Sequence, residues 1–388
     1  MPKLWTKNFL IITFENFFVY FTYYLLIVII AVYATDRFKA SPSMAGLSAS
    51  IFILGAIAGR LYAGHSIKRV GHKKMLYGSF AFYLLTTLLY FVVNNLAFLI
   101  VVRLLHGAAF GLTSTTTGSI AAEIIPNQRR GEGIGYYALS MTVAAAVGPF
   151  IGMFLIQRVN FVSALIVSTL ALSVSFIGAF SLTVPKSCAA EPEDMNPSRF
   201  ALKDYIEARA LPISVITAII CFGYSSILTF LSSYAHSIGL IDVSSFFFMT
   251  YAVAILVSRP FTGRAFDLKG ENFVVYPTLA LFIAALVMLG AAHHGLTLLM
   301  AGILTGFGYG NYFACGQALA IKTSPLHRKA LATSTYYIFA DIGTGIGPFL
   351  FGFIIPVLGY RGLYFCMAAV IGATIILYYF LHGKTARD

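Results

Sequence analysis

Charge is what this chain has least of. Only 10% of its 388 residues are charged, against about 25% in a soluble domain, too few to cover a water-facing surface. Tryptophan occurs once and cysteine four times. Cys188, Cys221, Cys315 and Cys366 are too scattered for a disulfide framework or a metal-ligand spacing. No G-x-x-x-x-G-K-[ST] run is present, so ATP does not drive the protein directly, and neither H-E-x-x-H nor G-x-S-x-G occurs. No cofactor or metal site is therefore expected, and an intramembrane enzyme is the weakest reading. What abounds is apolar: 59% of residues are hydrophobic and 15% aromatic, with 35 phenylalanines and 23 tyrosines. Soluble enzymes, nucleic-acid binders and disordered scaffolds are all excluded by that balance. The net charge of +12, from 26 basic and 14 acidic residues, reads as positive side chains held on the cytoplasmic side of a membrane.

A helix needs roughly 20 apolar residues to cross the hydrocarbon layer. Apolar runs between polar breaks predict twelve spans: 8–34, 43–65, 75–94, 96–122, 132–157, 160–183, 211–235, 243–264, 273–292, 295–320, 330–357 and 361–382. The first is too long for a cleaved signal peptide and carries Glu15. Turn chemistry marks several breaks, as in Ser41-Pro42-Ser43, Asn94-Asn95 and His293-His294-Gly295. With the N-terminus in the cytoplasm, all but five of the 26 basic residues fall inside. Arg37, Lys39, Arg158 and Arg361 fall outside, and Arg103 lies within a span. Both termini are thus expected in the cytoplasm, in a bacterial inner membrane.

One break differs from the others. Residues 184–210 carry five carboxylates, four basic residues and Pro185, Pro192 and Pro197. This polar cytoplasmic linker divides the chain into an N-terminal six-helix bundle (1–183) and a C-terminal one (211–388). The halves match at a single offset of 199 residues. Gly59-Arg60-Leu61-Tyr62-Ala63-Gly64 falls on Ser258-Arg259-Pro260-Phe261-Thr262-Gly263; Gly71, Gly107 and Gly111 fall on Gly270, Gly306 and Gly310. Pro126 and Arg129 fall on Pro325 and Arg328, and Gly148-Pro149-Phe150 falls on Gly347-Pro348-Phe349. Such a register predicts an all-α membrane protein of two pseudo-symmetric bundles with a site between them.

These residues resemble the major facilitator superfamily over essentially the whole chain. Its cytoplasmic signature, G-x-x-x-D-R/K-x-G-R/K-R/K, is similar to Gly64-His65-Ser66-Ile67-Lys68-Arg69-Val70-Gly71-His72-Lys73, with Lys68 in place of the acid. The second half keeps the acid in Gly263-Arg264-Ala265-Phe266-Asp267-Leu268-Lys269-Gly270. Arg103-Leu104-Leu105-His106-Gly107 is similar to the R-x-x-Q-G motif of the fourth span. Ala144 to Met153 resembles the antiporter motif G-x-x-x-G-P-x-x-G-G, with Ala144 and Met153 in place of its first and last glycines. The resemblance is to the drug/proton antiporter branch, and implies the major facilitator fold, export coupled to protons and a functional monomer.

Physical chemistry gives these motifs roles. Arg60, Gly64, Arg69, Gly71 and Lys73, with Arg259, Gly263 and Asp267, suit a cytoplasmic gate: glycines let helices approach and basic side chains bond carbonyls or carboxylates nearby. Gly148-Pro149 and Gly347-Pro348 place a bend and a close contact inside long helices. Of the 14 carboxylates, Glu15 and Asp341 fall clearly within spans, and Glu123 lies near a cytoplasmic end. An acid in hydrocarbon costs on the order of 3 kcal/mol and should face a cavity or partner. Asp341, roughly 16 Å along its helix, is placed near mid-membrane, where a carboxyl can take up and release a proton. Arg103, the one basic residue in a span, is the expected coupling partner. Its depth disfavours a direct pair with Glu15, so that water or substrate would bridge them. Asn16, Tyr20, Tyr23, Tyr24, His106, Thr113 to Thr117, Tyr224, Asn311, Tyr312, Gln317, Tyr336 and Tyr337 are candidates to line a cavity for planar or cationic small molecules. The expected function is a proton-coupled exporter of lipophilic or cationic compounds. A dedicated exporter of one metabolite (a metallophore, sugar or amino acid), a lipid flippase and a non-transporting membrane sensor are the alternatives.

Overall fold

The computed structural model describes residues 3–126, 129–183, 206–325 and 328–384. Linker residues 184–205 and the side chains of Lys68 and Asp267 lie outside what is described. Among the described residues the chain is helical, with no strand. Six helices come first: α1 (Lys7–Phe38), α2 (Pro42–Val70), α3 (His72–Leu89), α4 (Leu96–Ile124), α5 (Arg130–Arg158) and α6 (Phe161–Phe180). Then follow α7 (Leu211–Ser237), α8 (Ile241–Lys269), α9 (Glu271–Gly290), α10 (Gly295–Thr305), α11 (Asn311–Lys322) and α12 (Lys329–Tyr378).

Among the described residues, ten helical stretches are long and apolar enough to cross a membrane. Two departures from simple rods explain why ten such stretches stand for twelve expected spans. The tenth span is interrupted: α10 runs through a π turn, Gly306–Gly310, into α11. The last two spans are continuous as α12, broken only at Gly359, whose φ of 66° lies outside the helical region and which glycine adopts without steric cost. Polar side chains start the connections where the turn residues predict them. Asn95 and Asn160 accept the amides of Phe98 and Ser163, capping α4 and α6.

The helices form two compact units, one of Met1–Phe38 and Ile51–Asn196, the other of Lys39–Ser50 and Pro197–Asp388. In the first, α1 is central and buried along most of its length, packed on α4, α5 and α6. α2 and α4 meet at backbone distance. A methyl on Gly55, Gly59, Gly107 or Gly111 would overlap a carbonyl of the facing helix, so two G-x-x-x-G pairs interlock. In the second unit α7 takes the central place, against α12, and α8 packs on α10. Methyls on Gly306 and Gly310 would collide with Tyr251 and Ile255, which lie 199 residues after Phe52 and Ala56. The start of α2 belongs to this second unit: Gly46 abuts the Pro348 carbonyl, and the Phe349 amide donates to Ser50 Oγ at 3.1 Å.

Candidate functional site

In the first unit the candidate residues divide into three clusters. The first is aromatic. Tyr23 stacks on Phe52 and Phe110, with ring centroids 5.2 and 4.9 Å apart, and Tyr20 meets Phe110 edge-on at 5.2 Å. Tyr24 tilts against Tyr23 at 4.7 Å. Tyr20 and Tyr24 keep partial exposure while Tyr23 is buried. The second cluster surrounds Arg103, which is fully buried. Its guanidinium lies 4.5 Å over the Phe52 ring and donates to the Tyr90 hydroxyl at 3.4 Å. His106, one turn on, bonds Thr87 Oγ1 at 3.1 Å and the Tyr90 hydroxyl at 3.3 Å. Arg103 and His106 thus belong to the α3–α4 contact, and cation–π attraction away from water contributes about 2 kcal/mol to holding the arginine there.

The third cluster separates two neighbours in sequence. Asn16 donates to Ser140 Oγ at 2.9 Å and accepts from the Tyr137 hydroxyl at 2.9 Å, so its amide joins α1 to α5. Tyr137 also stands 3.2 Å from Thr117 Oγ1. Glu15 points elsewhere, towards α6. It is buried, and neither carboxylate oxygen has a hydrogen-bond or ionic partner among the described residues.

In the second unit the candidates gather round one tyrosine. Tyr309, in the π turn, stacks on Tyr224 at 3.8 Å and 8°, and touches Phe282 and Phe313. Tyr224 also stacks on Tyr251. Cys221 Sγ lies 3.8 Å from the Tyr309 hydroxyl and within electrostatic reach of Asp341. Asp341 is half-buried with Oδ2 inside. Tyr312 bonds Thr217 Oγ1 at 3.2 Å, Tyr336 donates to the Phe313 carbonyl at 2.7 Å, and Tyr337 donates to Gln317 Oε1 at 3.2 Å. Asn311 is spent on packing: its amide donates to Ser258 Oγ and the Phe307 carbonyl and accepts from Thr262, tying α8 to α11.

The gate candidates lie towards helix ends. Gly71 and Gly270, with φ of 86° and 84°, turn α2 into α3 and α8 into α9. Gly64 and Gly263 have open space where a Cβ would stand. Arg60 lies 5.6 Å over Phe110 and Lys73 5.7 Å over Tyr77; Arg69 is exposed and Arg259 half-buried. Gly148, before Pro149, packs α5 on α1 beside Tyr24 and Leu25; Gly347, before Pro348, packs α12 on α7 beside Ser225 and Phe222.

Sequence reasoning missed four groups of residues. Tyr309, Tyr251 and Cys221 complete the aromatic cluster. Glu271 pairs with Lys322 at 2.6 Å and His382 at 3.2 Å. His72 pairs with Glu123 at 3.3 Å. Glu207 pairs with Arg328 at 2.8 Å while its amide donates to Thr335. The 199-residue offset carried the signal for two of these, since His72 and Glu123 fall on Glu271 and Lys322. Among the described residues no three His, Cys, Asp or Glu side chains gather as a metal site.

Long apolar helices with aromatics and acids buried among them define a multi-pass membrane protein. The particular family follows from comparison: the Major Facilitator Superfamily model matches residues 12–293 and 213–388, and the chain belongs to that superfamily. It is 25% identical over 347 residues to an uncharacterised MFS-type transporter of Methanocaldococcus jannaschii, covering 87% of this chain and 88% of that one. It is 21% identical over 368 residues to the staphylopine export protein of Staphylococcus aureus, covering 90% and 89%. Among solved structures, a variant of the nucleoside transporter NupG superposes with a TM-score of 0.78 at 12% identity, over 97% of this chain and 100% of that one. A variant of the peptide transporter POT gives 0.75 at 15%, over 97% and 94%. These likenesses show the major facilitator fold.

Proposed function

We propose that the chain is a proton-coupled exporter, an antiporter of small lipophilic or cationic compounds working by alternating access. It works as a monomer in a bacterial inner membrane, with both termini in the cytoplasm. One observation carries the reading: Asp341 stands inside a long apolar helix, with Oδ2 buried, beside the thiol that touches the Tyr224–Tyr309 stack. A single carboxylate beside aromatic faces can hold a cation, each face contributing about 0.5–2 kcal/mol, or it can hold a proton. It cannot hold both at full charge, and that competition makes exchange obligatory. Uphill export then draws on the proton gradient and membrane potential. Glu15 is the second proton site, Arg103 couples the two, and the basic helix ends form the cytoplasmic gate.

The test is proton movement in proteoliposomes on addition of lipophilic cations, neutral drugs and small metabolites, with Asp341→Asn beside wild type. Flux elicited by several unrelated compounds and lost in the variant is the expected result. Flux that persists in Asp341→Asn removes the assignment. A second reading is favoured by the Staphylococcus aureus relative, whose name specifies export of staphylopine: dedicated export of one endogenous metabolite. Proton movement with one such compound alone would select it.

A further inference from the structure

Glu15 is one of four buried oxygen-bearing side chains on facing sides of α1 and α6 that have no hydrogen-bond partner among the described residues. The others are Thr22, Ser168 and Ser175, each no more than 3% exposed. Their register can be read from contacts along the antiparallel pair. Asn8 and Thr183 exchange two hydrogen bonds, at 2.9 and 3.2 Å. A Cβ on Gly178 would lie 4.0 Å from Glu15 Oε1, and Tyr33 stacks on Phe161 at 3.7 Å. Interpolating between these contacts sets Ser175 level with about residue 18 of α1 and Ser168 level with about residue 26. At 1.5 Å per residue the order is Glu15, Ser175, Thr22, Ser168, with steps of about 5 Å and a total rise of about 16 Å.

That spacing is informative. The four side chains make no hydrogen bond to one another, and groups about 5 Å apart along the helix axes can be bridged by one water making two bonds of about 2.8 Å. Each hydroxyl can donate and accept, so the series has no polarity that would block a relay. A buried water needs two to four polar partners, and here successive rungs supply them. Tyr83 adds a fifth oxygen, reaching from α3 to the Val19 carbonyl at 3.3 Å, between the levels of Glu15 and Thr22. The walls are apolar. Phe80 stacks on Phe176, Tyr77 on Phe180, and the Tyr33–Phe161 pair lies beyond the level of Ser168. Four desolvated polar groups in a dry seam would each cost about 1–3 kcal/mol, a sum that hydration removes.

We infer that the α1–α6 seam holds a file of water molecules that hydrates Glu15 and carries its proton. A proton leaving the Glu15 carboxyl passes to the first water as that water gives one up to the Ser175 hydroxyl. The same exchange repeats at Thr22 and Ser168, so each water and hydroxyl between ends with the protons it began with, and the one proton lost by Glu15 leaves from the water beyond Ser168. The inference rests on Glu15 as a proton site, and its test needs neither substrate nor flux, so it and the transport reading fail separately.

The test is infrared spectroscopy of the full chain in lipid, following the protonated Glu15 carbonyl stretch, identified by its loss in Glu15→Gln. After transfer to deuterium oxide, the Ser175→Ala/Thr22→Val/Ser168→Ala variant should exchange at least tenfold more slowly than wild type. Its band should move to higher wavenumber as hydrogen bonds are lost. Ser173→Ala is the control, since that hydroxyl on the same helix already bonds the Thr169 carbonyl at 2.8 Å; it should change neither. If the triple variant does not fold, Ser175→Ala alone should shift the band. An unmoved band and unchanged exchange in these variants would overturn the inference. So would the lack of any protonated Glu15 band between about pH 5 and 9.

Discussion

The first unit and the second bring their helices together at the same register yet arm them differently. Gly107 and Gly111 touch α2 where Gly306 and Gly310 touch α8, and Gly71 and Gly270 take nearly the same positive φ. Several side chains at matched positions do not repeat. Gly55 and Gly59 of α2 become Ala254 and Ser258 of α8. Phe110 becomes Tyr309, and Arg103 becomes Gly302. The ion pair between the third and fourth spans is inverted: His72 faces Glu123 in one unit, and Glu271 faces Lys322 in the other. A fold that depends on backbone proximity and a handful of glycines leaves its chemistry free to diverge, because packing constrains Cα positions and little else.

The largest test of this comparison is steric. Gly107→Val should prevent recovery of folded protein, since its side chain would enter the Phe52 carbonyl; overpacking of this kind costs about 3 kcal/mol or more. Gly306→Ala should be milder, because its partner helix is less closely apposed. Thermal unfolding in detergent, monitored by size-exclusion chromatography, ranks the two, and equal losses would remove the asymmetry.

Next come the turn glycines. Gly71→Ala and Gly270→Ala should destabilise their units alike, by about 1–3 kcal/mol each, since φ near 85° with extended ψ is almost closed to other residues. An effect at one position alone would break the equivalence. Gly64→Ala and Gly263→Ala, in open space inside helices, are the matched controls and should not lower the melting temperature, since alanine is favoured over glycine there by about 0.5–1 kcal/mol.

The inverted pair gives a smaller and sharper test. Lys322→Glu should cost about 1 kcal/mol, by leaving Glu271 facing a like charge. Glu271→Lys with Lys322→Glu should recover at least half of it. A double variant no better than the worse single would mean that the polarity is fixed by His382, the second partner of Glu271. Glu123→Ala, in the looser pair of the first unit, should change stability by less than about 0.5 kcal/mol.

The features most legible in the sequence were those written in local spacing. Apolar run lengths gave the helices, and the 199-residue offset picked out Gly71, Gly107 and Gly111 with their counterparts, all of which the structure places at equivalent turns and contacts. The break between residues 357 and 361 fell on Gly359. Less legible was the direction in which a polar side chain points. Glu15 and Asn16 are adjacent, yet one faces α6 and the other α5. The amides of Asn16 and Asn311 hold helices together, a role that their polarity alone does not separate from lining a cavity. Such outcomes depend on which helix lies alongside, which no run length records. The π turn was also hidden, because Gly306 and Gly310 keep the spacing of Gly107 and Gly111 in the unbroken α4, and the additional Gly308 does not by itself mark a π turn.

That hidden turn has a mechanical consequence. The offset is the same before it, at Gly306, and after it, at Pro325 and Arg328, so the π segment contains no inserted residue. The tenth span and α4 are one length of ribbon wound at two pitches. Rewinding Gly306–Gly310 to the tighter pitch would need no added residue, and would act as a torsion coupling: everything beyond it, Tyr312 and Gln317 included, would rotate about the helix axis while α10 stayed still.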